Sequence, residues 1–101
     1  MAEFDASGLL KTFKLSIGDL SPTTPPELEA YYLNLLSLGA AELRGDDISD
    51  TVLASELGST AVVLYAKAIM EGADTATDPT LRLIRNTLSV QTKGERYADG
   101  K

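Results

Sequence analysis

The chain has 101 residues, of which 44% are hydrophobic and 24% charged, and a formal net charge of −6. That length builds one domain with a modest core. Cysteine and histidine are both absent, which excludes disulfides, thiolate zinc sites and any mechanism built on an imidazole base or ligand.

The predicted elements are helices, with almost no strand pattern, no internal repeat and no low-complexity block. Asp5-Ala6-Ser7 caps a first short helix carrying Leu9, Leu10 and Phe13, with Leu15 and Ile17 following, and Gly18, Ser21 and Pro22 break it. Thr24-Pro25-Pro26-Glu27 reads as a capping box, with Thr24 as N-cap and Pro25 at the first helical position. The second helix places Leu28, Tyr32, Leu35, Leu36, Gly39 and Leu43 on one face, widened by Tyr31 and Leu38. Gly45 stops it, and Arg44 sits well against the helix dipole. Asp46, Asp47 and Asp50 follow. Their spacing fits no calcium-loop pattern, and Ser49 or Asp50 is needed as the next cap, so no metal or cofactor is expected.

A third helix is expected over residues 51–71, ended by Gly72. Its first half has helix-turn-helix spacing, with Ala54, Leu57, Gly58 and Leu64 at the usual small-residue, anchor and turn positions. Its second half is apolar from 61 to 70 except for Lys67. A helix apolar on all sides must be surrounded, whereas a recognition helix needs polar side chains that reach base edges. Gly58 either permits close helix packing or bends the helix. Lys67 snorkels to water or makes an ion pair between subunits. Asp78-Pro79 then caps a fourth helix with Leu81, Ile84 and Leu88 on one face and Arg82 and Arg85 beside it. The polar residues after Val90 read as a flexible end with Tyr97 as its one anchor.

The expected architecture is all-α: a small four-helix bundle over residues 1–91, followed by a flexible tail over 92–101. Four helices cover an all-apolar one with little to spare, so part of that helix is expected to meet another subunit. The charge is also divided. Residues 1–80 carry four cations against thirteen acids, a net of −9, and residues 81–101 carry five cations against two acids, a net of +3. The basic segment is either an ordinary solvated end or one that docks on an acidic neighbour. No apolar run reaches the roughly 20 residues of a membrane helix. The acidic start MAEFDASGLLKTF has no signal core, so the expected compartment is the cytoplasm or a particle assembled there.

The whole-chain pattern resembles the small helical head–tail connector, or adaptor, proteins of long-tailed bacteriophages, some of which are called DNA-packaging proteins. The likeness is carried by the run Ala61-Val62-Val63-Leu64 leading into Tyr65, Lys67 and Gly72, and by LRLIRNTLSV with Tyr97 after it. The opening Leu10-Lys11, Leu15 and Ile17, and the helix end Ala40-Ala41-Glu42-Leu43, match more loosely. The resemblance implies a structural virion protein at the head–tail interface and not an enzyme. It implies a homo-oligomeric ring, dodecameric in the virion, below the portal protein. Such a ring extends the DNA channel and gives a platform to the next head-completion or tail-terminator protein.

On that reading, Tyr65, Lys67, Arg82, Arg85, Arg96 and Tyr97 are candidates for the oligomer or portal interface. Glu27, Glu29, Asp46 and Asp47 are candidate channel-facing acids, since duplex DNA slides past carboxylates and sticks to lysine and arginine. The sequence supplies no paired catalytic groups, and neither catalytic nor metal residues are assigned. The alternatives are a helix-turn-helix DNA-binding regulator, or a small helical adaptor or antitoxin-like protein.

Overall fold

The computed structural model describes residues 4–99, and the side-chain surroundings of residues 4–95. Helices account for 72% of the structure and no strand forms among the described residues, so the fold is all-α. A 3-10 turn, Ala6–Leu9, leads into α1 (Leu10–Ser16); α2 (Pro26–Arg44), α3 (Asp50–Leu53), α4 (Glu56–Met70) and α5 (Pro79–Asp99) follow.

Helix α4 is the centre, and α1, α2, α3 and α5 all pack on it, α2 most extensively. Phe13, Leu36, Leu43, Leu53, Val62, Tyr65 and Leu88 are fully enclosed where these helices meet. The crossing of α2 over α4 is close because Gly39 lies there. A Cβ at that position would stand 2.9 Å from the Val62 carbonyl oxygen and 3.1 Å from the Ala66 nitrogen. The molecule measures 48 × 31 × 17 Å. Its thin dimension holds two helix layers of about 10 Å each and no more, so every peripheral helix keeps one face outward.

Four expectations change. Thr24 is not the cap of α2. Pro25 is, with Pro26 at the first helical position, while the Thr24 hydroxyl accepts a 2.5 Å hydrogen bond from Lys14. Tyr31 and Leu38 do not widen the buried face of α2, being 48% and 44% exposed. The small Ala40 is buried there instead, because close packing on α4 favours small side chains.

The third helix is two helices. Ser49 and Ser55 each accept a backbone N–H three residues on, from Val52 and Gly58, so the chain caps twice and turns at Ala54-Ser55. Gly58 permits the close packing. A Cβ there would fall 2.0 Å from the Val52 carbonyl oxygen. Finally, the helical domain does not end at residue 91. The period of Leu81, Ile84 and Leu88 continues to Thr92, which is 1% exposed, and α5 runs on to Asp99. Thr92 occupies a core position because its hydroxyl accepts the Ser49 backbone N–H at 3.2 Å.

Candidate interaction surfaces

The helix with the most distinctive sequence turns out to be the scaffold. Tyr65, on α4, is fully buried, so it is a core residue and not a contact for a partner. Its hydroxyl donates to the Leu81 carbonyl at 3.1 Å and accepts from Arg85 Nε at 2.9 Å. The same nitrogen lies 2.7 Å from Asp46 Oδ2, and the guanidinium stands 5.4 Å from the Tyr65 ring centre. Burial holds the Tyr65 phenol above its ordinary pKa, with the nearby Arg85 charge opposing that shift. Arg85 and Asp46 therefore tie α5 and the α2–α3 connection to the buried tyrosine, and Arg85 too works inside the fold. Sequence reading takes Tyr65 and Arg85 as interface residues and Asp46 as a channel-facing acid; their contacts through Arg85 span 20 residues or more and leave no local pattern.

The other candidates spread widely. Lys67 is half-buried beside a shallow groove that it shares with Leu64, Glu71 and Asp78. Arg82 is exposed and faces a polar hollow of about 390 Å³ with Asn86 and Ser89. The side chains of Arg96 and Tyr97 lie outside the described surroundings. Glu27 and Glu29 stand in the first turn of α2 and Asp46 and Asp47 just beyond its last. A 19-residue helix separates the pairs by about 28 Å along its axis, so the four acids form no single patch. Asp47 adopts φ 65° in the connection that follows. Asp50 pairs with Arg44 at 2.9 Å. Among the described residues, no cluster of three or more carboxylates is placed to hold a metal ion.

Two polar arrangements escape sequence reading altogether. Lys14 is 9% exposed and donates to the Ser21 carbonyl and the Thr24 hydroxyl, pinning the α1–α2 loop over Phe13 and Tyr32. Asp19 accepts from the Ser21 backbone N–H at 3.0 Å and from the Tyr32 hydroxyl at 3.0 Å. The Ser21 bond, then the Tyr32 bond, hold its carboxyl below the ordinary aspartate range. A groove of about 530 Å³ opens beside this loop, lined by Leu10, Leu15 and Leu20 with Lys11 and Lys14.

What the surface offers a partner is apolar and lies on the outer faces. Leu83 and Val90 on α5 are 67% and 68% exposed, and Tyr31 and Leu38 on α2 are each nearly half exposed. Each pair is spaced by seven residues, two helical turns, so each forms a stripe. Outward apolar side chains in register mark a contact surface more strongly than the same residues scattered singly. No helix among the described residues is long and apolar enough to cross a membrane. Compared with known proteins, the chain matches no family model, no curated protein and no solved structure.

Proposed function

We propose that this chain is a structural assembly protein, a connector that forms a homo-oligomeric ring below a phage portal and passes duplex DNA without gripping it. The observation that carries the reading is the outer face of α5. It joins exposed Leu83 and Val90 to the exposed cations Arg82 and Lys93, on a chain whose remaining body is strongly acidic. A basic, partly apolar helix on an acidic molecule suits contact between copies, or with an acidic partner. The sequence resemblance to head–tail connectors supplies the kind of assembly. In such a ring the acidic body, Glu29 included, faces DNA as a repelling wall.

Static light scattering over a concentration series, with negative-stain imaging of the heaviest fraction, tests the ring directly. The same measurement is then repeated with isolated portal protein. Annular particles with an open centre, alone or on the portal, are expected. A chain that stays monomeric in both conditions overturns the proposal. Specific retention on duplex DNA at physiological salt, without rings, assigns the protein to the regulators instead.

A further inference from the structure

The two outward stripes differ in their rims. On α2, Glu27, Tyr31, Asn34, Leu38 and Glu42 follow one another at helical spacings of four, three, four and four, and all five are exposed. That is an apolar pair with a carboxylate beyond each end. On α5, Leu83, Asn86, Val90 and Lys93 follow at three, four and three, with Arg82 beside the first, and all are exposed. That is an apolar pair with a cation near each end. In both stripes the apolar residues stand roughly 10.5 Å apart at 1.5 Å of rise per residue. The spacing matches and the rim charges are opposite.

We infer that these stripes are the two halves of one self-interface: the outer face of α2 in one copy receives the outer face of α5 in the next. Neither stripe is suited to itself. Pairing two α2 stripes opposes carboxylates to carboxylates, and pairing two α5 stripes opposes cations to cations, whereas the mixed pairing seats leucine and tyrosine between opposite charges. Because the halves lie on different helices, the contact is heterologous wherever two copies do not dock both stripes reciprocally. Each copy docked through one stripe leaves one free stripe at each end of the assembly, so the contact propagates into a ring or an open filament, and a cross-linked doubly substituted chain that stops at a dimer identifies reciprocal docking instead. The inference rests on the self-assembly part of the connector reading and needs neither portal nor DNA.

The absence of cysteine from the chain makes cross-linking a clean test. Asn34→Cys and Asn86→Cys place one thiol in the middle of each stripe, at exposed positions that serve either helix direction. Each variant is first checked by circular dichroism for the parent helicity. A short bis-maleimide is then added to each variant alone, to the equimolar mixture, and to the doubly substituted chain. The mixture is expected to give a covalent dimer on the order of tenfold above either variant alone, about 1.4 kcal/mol of pairing preference. The doubly substituted chain is expected to give a ladder of multimers. Equal adduct in the single-variant samples overturns the inference, and so does no enrichment in the mixture. Rings on the portal without the mixed adduct reject this interface and leave the connector reading standing. A ladder from a chain that ignores the portal does the reverse.

Discussion

Helices α4 and α5 meet the same core and spend their residues in opposite ways. On α4 the buried positions take up more than half of the helix's circumference, from Gly58, Ala61 and Val62 through Val63, Tyr65 and Ala66 to Ala68, and leave a strip at Leu57, Thr60, Leu64 and Lys67 that is not buried. On α5 they keep to one face, Leu81, Leu88 and Thr92, and leave Leu83 and Val90 outside. The first helix holds the molecule together and the second leaves apolar side chains on its outer face. The sequence expectation that part of α4 meets another subunit concerns the strip that includes Leu57 and Leu64, which is not buried. Helices α1, α2, α3 and α5 cover most of α4 within one chain, and exposed apolar side chains lie on the outer faces of α2 and α5, at Leu15 and Leu20 beside the α1–α2 loop, and at Leu57 on α4. Packing four helices on one in a slab 17 Å thick exposes the backs of the helices that cover it.

The sharpest way to break the α4 side is Gly58→Ala. Alanine has the better helix propensity, worth about 1 kcal/mol, but its Cβ would sit 2.0 Å from the Val52 carbonyl oxygen and 2.7 Å from the Leu53 Cα. Backbone cannot move aside as a side-chain tip can. The clash wins, and a net loss of about 3 kcal/mol or more is expected in urea unfolding. A variant within about 0.5 kcal/mol of the parent would mean that the turn at Ala54-Ser55 is not packed as described. Next in size is Leu88→Ala on α5. Its side chain is fully buried, so truncation costs about 2–5 kcal/mol through lost transfer energy and the cavity left behind. A small effect there would show that α5 docks loosely.

Much of the fold is legible in the sequence, and the reasons are local. Asp5 and Asp78 cap as their position predicts, accepting from Ser7 and from Thr80 and Leu81. The core faces of α2 and α5 follow from spacing. The failures come from tertiary context. Ser55 has a good capping side chain, but nothing local distinguishes a serine that caps from one that stays helical. Thr92 reads as the start of a polar tail because its partner, the Ser49 backbone, is 43 residues away. The candidate site was the least legible part. Composition picks out Tyr65 and Arg85 as interface types, yet these two satisfy each other inside the fold. Leu83 and Val90, which carry the exposed stripe, read only as ordinary helix residues until burial distinguishes the two faces of α5.

Removing the cap of α5 is the intermediate case. Asp78 Oδ1 accepts two backbone N–H groups, from Thr80 at 2.9 Å and Leu81 at 3.1 Å, in front of Pro79, whose missing N–H costs nothing there. Asp78→Ala is expected to cost about 1 kcal/mol, visible as a lower urea midpoint at unchanged slope. Asn at the same position recovers most of it, since an amide oxygen also accepts, and an equal loss in both variants would point to charge and not to capping. Smaller still is the acid response of Asp19. Its folded carboxyl titrates below the unfolded one, so its contribution is complete above the unfolded value of about 3.9 and is lost as pH falls through the folded one. The stability gap between the parent and Asp19→Asn therefore narrows only below about pH 4. A gap that stays constant from pH 6 down to pH 3 would remove the two hydrogen bonds as its cause.

The smallest expected effect separates the two faces of α5 most cleanly. Leu83→Ala removes the same atoms as Leu88→Ala, about 140° away by helical rotation (five residues at about 100° each), from a side chain that is 67% exposed. Little apolar area returns to water in the isolated chain, and alanine is the better helix former, so its urea midpoint is expected within about 0.5 kcal/mol of the parent. Assembly is a different matter, because Leu83 is half of the apolar pair that α5 presents. The same substitution is expected to weaken self-association by about 1–2 kcal/mol, a shift of roughly five- to thirtyfold in the concentration at which light scattering detects oligomers. Leu83→Ala that unfolds the chain would place this leucine in the core and merge the two faces. Leu83→Ala that leaves both folding and assembly untouched would make the stripe an ordinary exposed leucine.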